Sequence, residues 1–197
     1  MKIIGITGGI GTGKSSVSKI FREDLNIDVI DADELARKAV EPGSEGLKMI
    51  EEHFGRGVIN ADGSLNRKVL GDVVFQDEIK RKILNSIVHP EVDRLYKIQL
   101  ARCEKMGVGH VAYDCPLLIE ASLMDSVDVV VLVRASRENQ LQRIMDRNEF
   151  SLEEAIRRVD AQMSGDEKER CADIVIWNDG TLEELREGVF LMWRNLF

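Results

Sequence analysis

The chain reads as an α/β protein built on a parallel sheet, and three features of the sequence say so. Short β-branched runs without polar alternation recur along it, such as "KIIGIT" at 2–7 and "VDVVVLV" at 127–133. Runs of that kind belong to strands covered on both faces. Between the runs, apolar residues fall three and four apart, as with Val17, Ile20 and Phe21 after Lys14, which is helical spacing. Strand and helix patterns also alternate from end to end, the order that winds a parallel sheet.

Taken in order, "KIIGIT" is a buried strand running into glycines, and a helix follows Lys14. "IDVIDAD" (27–33) is a second strand that Asp31 and Asp33 close, and Pro42-Gly43 and Asp62-Gly63 are turn signals. From about 64 to 106 the pattern is helical, with a break expected at His89-Pro90. "GHVAYD" (109–114) is a third strand ending on Asp114, and "VDVVVLV" is the fourth. Ser136 caps a helix reaching about Arg147, and Ser151 with Glu154 opens another through a capping box. "ADIVIW" (172–177) is the fifth strand. Thr181 with Glu184 caps the last helix, whose core face is expected to carry Leu182, Leu185, Val189 and Trp193. Trp177 and Trp193 are expected in the core. The helix-rich stretches 60–106 and 136–165 are too long for simple crossovers and read as insertions at one edge of the sheet.

A length of 197 residues suits one unit with insertions, and 44% hydrophobic with 31% charged residues is ordinary for a globular protein. The net charge of -8 argues against a general binder of nucleic acid or membrane surfaces. Cys103, Cys115 and Cys171 are odd in number with no C-x-x-C spacing, and the three histidines are scattered. A disulfide framework or zinc site is not expected, and a reducing compartment, the cytoplasm, is. The strand-like start leaves no room for a signal peptide, and no apolar run approaches the ~20 residues of a membrane span.

The chemistry begins at "GITGGIGTGKSS", 5–16. Gly8, Gly13, Lys14 and Ser15 satisfy G-x-x-x-x-G-K-[ST] between a strand and a helix. Glycines there let backbone N–H groups turn toward phosphate oxygens, and the helix N-terminus adds its positive end. Lys14 is expected on the β- and γ-phosphates and the Ser15 hydroxyl on Mg²⁺. Ligands of such sheets bind beyond the C-terminal strand ends, where Asp31, Asp33 and Asp114 lie. Asp114 is placed to hold Mg²⁺ directly or through water, and Asp33 to accept a hydroxyl proton. Each could instead cap a helix. Neither D-x-x-G nor N-K-x-D occurs, which favours a small-molecule kinase over a GTPase switch. In "SRENQLQRIMDRN", Gln140, Arg143 and Arg147 share one helical face. That face suits triphosphate oxygens on a closing lid, or is simply a solvated surface.

The chain resembles the dephospho-coenzyme A kinase family. The residues that carry the likeness are "TGGIGTGKS", "DADELAR", "DGSLNRKVLGDVVF", "HPEV", "DCPLLIE", "QLQRIMDRN" and "RVDAQMSGDEKERCADIVIWNDG", in order over nearly the whole length. Ile119 stands where the family usually has an aromatic residue, a change of packing rather than chemistry. The resemblance implies a three-layer P-loop NTPase fold, α/β, with a five-stranded parallel sheet. In that layout the core is 1–59, 107–135 and 166–197, a helical acceptor-binding insertion is 60–106, and a helical lid is 136–165. It implies that ATP, with Mg²⁺, phosphorylates the ribose 3′-hydroxyl of dephospho-CoA to give CoA and ADP. A nucleoside or nucleotide monophosphate kinase is the alternative. Carried onto this sequence, Asp33 resembles the base and Arg37 a contact of the acceptor pocket, which Pro116, Leu117 and Leu118 would shape. Lys14 and the loop amides through Gly11, Thr12, Gly13, Ser15 and Ser16 would hold the ATP phosphates. Arg143 and Arg147 would be lid contacts, Arg143 at the reaction itself, with Asn178 and Gly180 at the adenine.

Overall fold

The computed structural model describes residues 1–75 and 77–197. Five strands form one sheet in the order β2-β3-β1-β4-β5. They are β1 (Lys2–Gly8), β2 (Asp28–Asp31), β3 (His110–Asp114), β4 (Val129–Arg134) and β5 (Ile174–Trp177). β1 pairs in parallel with both β3 and β4, so that Ile6 lies beside Asp114 on one side and Val131 on the other. β4 pairs in parallel with β5, which sets Arg134 beside Trp177. The neighbours of β1 are therefore not its neighbours in sequence, and a crevice opens where they diverge. Because the pairs are parallel, the C-terminal ends of β1, β3, β4 and β5 lie along the same edge of the sheet.

The chain divides into two compact units, Met1–Val29 with Gly107–Phe197, and Ile30–Met106. In the first, α1 (Lys14–Glu23) and α9 (Leu182–Leu196) cover the sheet. Val17, Ile20 and Phe21 of α1 and Leu185, Val189 and Met192 of α9 bury themselves with Ile4, Ile6, Val131 and Val133. Arg186 donates to both oxygens of Asp24, at 2.8 and 2.7 Å, and joins the two helices. Leu182, expected in the core, is 61% exposed. The first turn of α9 is occupied by the Thr181–Glu184 capping box, and the buried stripe starts one turn later. α6 (Arg137–Asn148), α7 (Leu152–Asp160) and α8 (Gly165–Glu169) complete this unit. All three begin at serine caps, Ser136, Ser151 and Ser164.

The second unit is helical: α2 (Ala32–Lys38), α3 (Glu45–Phe54), α4 (Arg67–Phe75) and α5 (Glu78–Lys105). Its core gathers Ala39, Val40, Ile50, Val58, Leu70 and Ile87. β2 stops at Asp31, so Asp33 does not close the strand but stands in the first turn of α2. The expected break at His89-Pro90 is absent as well, because α5 runs through Pro90. The proline ring's φ is itself helical, and the costs are one N–H bond and crowding of the ring against the carbonyl four residues earlier. Ile83, Leu84, Ile87 and Val88 before it, and Val92 and Leu95 after it, all pack on the unit's core and hold the two halves in line. Among the described residues no helix is long and apolar enough to cross a membrane.

Pro90 is exposed, so Pro90→Ala should restore the missing bond without opening a cavity. An increase in unfolding free energy of about 1–3 kcal/mol in urea denaturation is expected. An unchanged or lowered value would mean that α5 needs a proline there.

Candidate active site

The phosphate-loop pattern forms the connection from β1 to α1. Every α-helix whose cap is described uses a side chain at its N-cap except α1. Asp31 caps α2, Ser44 α3, Asp77 α5 and Thr181 α9, besides the three serines above. The N-cap of α1 is Gly13, in the left-handed region at φ 86°, with no side-chain cap and no acid in the first turn. Among the described residues no protein acceptor meets the N–H groups of Gly11, Gly13, Lys14 or Ser15. A run of unmet N–H donors at a helix's positive end is an anion cradle.

The loop is shaped from outside as much as from within. Thr12 Oγ1 donates to the Gly9 carbonyl at 2.8 Å. Asn178 Nδ2 donates to the Thr12 carbonyl at 2.8 Å. The Arg143 guanidinium donates to the carbonyls of Gly11, Thr12 and Asn178 at 3.3, 3.4 and 2.7 Å. Ile10 N–H donates to Gln162 Oε1 at 2.7 Å. Close approach makes the glycines obligatory. A Cβ on Gly13 would sit 2.0 Å from Asn178 Nδ2, and one on Gly11 2.7 Å from the Gln140 carbonyl. Beside the loop lies a cavity of about 530 Å³ reached by Gly9, Thr12, Gln140, Arg137 and Gln162, a volume typical of ligand sites.

Lys14 Nζ forms an ion pair with Asp114 Oδ1, and Ser18 Oγ donates to Asp114 Oδ2 at 2.6 Å. Asp114 is 5% exposed, so these two partners account for its burial. The register that sets Asp114 beside Ile6 puts its carboxylate next to α1. Among the described residues no three His, Cys, Asp or Glu side chains gather to hold a metal. Ser15 and Asp114 are hard oxygen donors of the kind Mg²⁺ takes, one or two from protein and the rest from phosphate and water, so the residues fit that ion. Neighbouring Cys115 is buried, and burial pushes its thiol up, which keeps it protonated and unreactive.

The other expected site residues fall as follows. Asp31 caps α2, accepting from the N–H groups of Asp33 and Glu34 at 2.8 and 3.1 Å. Asp33 and Arg37 are exposed on α2, and among the described residues the side chain of neither has a hydrogen-bond or ion-pair partner. In the loop after β3, Thr7 Oγ1 donates to the Pro116 carbonyl at 3.1 Å. Leu117 is 52% exposed, whereas Leu118 is fully buried against Gly5. Ser15 is exposed, Ser16 half-buried and Arg147 exposed, with Arg147 Nε donating to Asn148 Oδ1 at 3.0 Å. Gly180 is exposed beside the Glu184 carboxylate. Trp177, expected in the core, is 53% exposed with Arg134 over its ring at 4.5 Å. It is the last residue of an edge strand, and its cross-strand neighbour Arg134 is what it packs against.

Four features of the site escape a reading of the sequence. Gln162 and Ser18 are two of them, described above. Lys168, 1% exposed, lies 2.5 Å from Glu120 Oε1, the acid that ends "DCPLLIE". Neither group has an aligned hydrogen-bond partner, so the charge of each is balanced chiefly by the other. Asp179 Oδ1 accepts from Ser136 N–H at 2.7 Å and from Asn139 Nδ2 at 2.8 Å, tying the segment after β5 to the start of α6. Glu120 ends "DCPLLIE", and Gln162, Lys168 and Asp179 lie within "RVDAQMSGDEKERCADIVIWNDG", but neither segment says which groups they meet; Ser18 lies in neither.

The Asn139 amide, then the Ser136 N–H, hold the Asp179 carboxyl below its ordinary value. A group depressed in this way contributes stability above its unfolded pKa and loses it as pH falls through the folded one. Asp179→Asn should therefore unfold at lower urea than the parent at pH 7. The difference should shrink as the pH is taken below about 4. A difference independent of pH would show that the charge is not what the tie depends on.

Comparison with known proteins identifies the lineage of this arrangement. The family model for dephospho-CoA kinase matches residues 2–184. The chain is 44% identical over 197 residues to the dephospho-CoA kinase of Geobacter sulfurreducens, covering 100% of both. A crystal structure from Thermus thermophilus matches with a TM-score of 0.83 at 36% identity, covering 100% of this chain and 98% of that one. The dephospho-CoA kinase of Campylobacter jejuni matches with a TM-score of 0.75 at 27% identity over 100% and 98%. With its phosphate loop, Asp114 and "DCPLLIE" segment standing in that setting, the chain belongs to the dephospho-CoA kinase family.

Proposed function

We propose that this protein transfers the γ-phosphoryl group of ATP to the ribose 3′-hydroxyl of dephospho-CoA, giving CoA and ADP. The observation that carries the donor half is the uncapped start of α1, with the unmet N–H groups of Gly11, Gly13, Lys14 and Ser15. Membership of the family carries the acceptor half.

On this reading the loop amides and the N-terminus of α1 take the phosphate oxygens, and Lys14 turns from Asp114 to the β- and γ-phosphates. Ser18 keeps Asp114 oriented meanwhile. Ser15 and Asp114 are the residues that would hold Mg²⁺, which when bound neutralises charge on the phosphates. The acceptor oxygen bonds to the γ-phosphorus as the bond to the β–γ bridging oxygen breaks, and the hydroxyl proton passes to Asp33. Asp33 suits that task because its carboxylate is exposed and unclaimed. Arg37 supports the acceptor one turn further along α2, with the helices of 60–106 and the loop of Pro116, Leu117 and Leu118. Arg147 on the lid, 136–165, meets the phosphates, and the lid excludes water as competing nucleophile. Arg143 holds the loop and the adenine-side carbonyl of Asn178, so its contribution at the reaction comes through the loop. Asn178 and Gly180 border the adenine. The three cysteines are free, which suits the cytoplasm.

ADP release should be measured with dephospho-CoA, adenosine, AMP, CMP and pantothenate as acceptors. Release driven by dephospho-CoA alone is expected. Release driven by AMP or CMP in its place would make the protein a nucleotide monophosphate kinase. Asp33→Asn should bind ATP normally yet lose roughly 10²–10⁴ in turnover. Near-normal turnover would remove Asp33 from the role of base.

A further inference from the structure

The stretch Gly8 to Gly13 contains four glycines in six residues, and glycine loses more backbone freedom on ordering than any other residue. A loop of that composition takes one shape only where something else imposes it. Two of the outside ties fall on carbonyls, those of Arg143 and Asn178. Among the described residues, the tie from Gln162 is the one made to a loop N–H, at Ile10, with a glycine on either side.

The position of Gln162 suits it to impose a shape. It lies in the short elbow between α7 and α8, where its own N–H donates to the Val159 carbonyl at 3.2 Å. Arg137 donates to Asp160 at 2.7 Å and binds the end of α7 to the start of α6. Two residues beyond Gln162, the Ser164–Glu167 capping box starts α8. The elbow is thus tied on both sides. A backbone N–H must meet an acceptor, which settles the amide's orientation: Oε1 faces Ile10. Gly9 is part of the fit, since a Cβ there would lie 3.2 Å from Gln162 Oε1 and 3.4 Å from Gln140 Nε2.

We propose that Gln162 is a positioning residue for the nucleotide: by accepting the Ile10 N–H it sets the glycine-rich loop in the shape that presents its remaining N–H groups to the triphosphate. The proposal rests on reading the loop as the triphosphate site. Gln162 touches no substrate in this role. Its effect passes through the loop, so it weighs on ATP and leaves the acceptor alone. Without it, the Ile10 N–H loses its acceptor and the Gly9–Gly11 segment samples other conformations, which the phosphates must then restrict on binding.

The test uses the full chain with Gln162→Met, which keeps length and volume and removes the acceptor. Amide hydrogen exchange at Ile10 in nucleotide-free protein should quicken at least tenfold, with exchange in the sheet unchanged. Affinity for a non-hydrolysable ATP analogue, by calorimetry, should fall roughly tenfold, the scale of one lost hydrogen bond. The KM for dephospho-CoA should stay within twofold. Gln162→Asn, too short to reach, should behave alike and serves if the methionine variant folds poorly. Unchanged exchange at Ile10, or analogue affinity within twofold of the parent, overturns the proposal. So does faster exchange throughout the first unit, which marks Gln162 as part of the general packing. The exchange and calorimetry need no acceptor, so a protein inert toward dephospho-CoA would contradict the proposed reaction and leave this test standing.

Discussion

The site depends on one constraint: a loop flexible enough to wrap phosphates has no means of holding its own shape. Glycines at 11 and 13 are required, since any Cβ there strikes the Gln140 carbonyl or the Asn178 amide. The same glycines make the loop's order expensive in backbone entropy. The fold answers by attaching the loop to three separate elements. α6 supplies Arg143, the α7–α8 elbow supplies Gln162, and the segment after β5 supplies Asn178. Arg143 takes the carbonyls of Gly11 and Thr12, Asn178 the carbonyl of Thr12 and Gln162 the N–H of Ile10, which leaves free the N–H groups at the start of α1. The division of labour is between groups that shape and groups that bind.

That arrangement makes the sheet order consequential. β1 ends in the loop, and its two neighbours deliver Asp114 from β3 and the start of α6 from β4. Arg134, the last residue of β4, donates to Asp166 of α8 at 2.8 Å and pairs with Glu169 there as well. α8 in turn carries Lys168 back to Glu120 in the loop after β3. Side chains therefore connect the elements on both sides of β1, and the Lys168–Glu120 pair is the most buried of these charged links. Removing one partner of such a pair leaves an unpaired buried charge, typically worth several kcal/mol. This gives the acid of "DCPLLIE" a structural reason to be there that has nothing to do with touching substrate.

Much of this was legible in the sequence because it is local. Apolar runs marked the strands, and the pairs Ser151–Glu154 and Thr181–Glu184 marked helix starts that the structure builds as complete capping boxes. Local rules failed where distant packing outweighed them. Pro90 should end a helix, yet apolar contacts on both sides of it carry α5 through. Trp177 is expected in the core, yet it ends an edge strand and packs beneath Arg134. Asp33 reads as part of the strand because the acids of "DAD" follow an apolar run, while Asp31 has already started the helix as its cap. Gln162 lies within "RVDAQMSGDEKERCADIVIWNDG", yet no local rule says what it touches, because its partner is 152 residues away.

The charge balance explains why so many local devices converge on this loop. The chain carries a net charge of -8, so its overall field opposes a triphosphate. Salt at physiological strength confines that repulsion to about 8 Å around each exposed acid, and binding is then decided by what lies within the same distance. Here that means N–H dipoles, the end of α1 and Lys14. Lys14 is neutralised by Asp114 within the protein, which spares a half-buried ammonium from standing alone. On the proposed reading, the cost of that pairing is that Lys14 must exchange one anion for another. Ser18 lowers the cost, because its hydroxyl continues to satisfy one oxygen of Asp114 as Lys14 moves. A triphosphate, unlike a stray monoanion, offers enough charge to draw Lys14 across and enough oxygens to fill the unmet N–H groups together. On the proposed reading, discrimination among anions thus follows from the ion pair between Lys14 at the start of α1 and Asp114 at the end of β3.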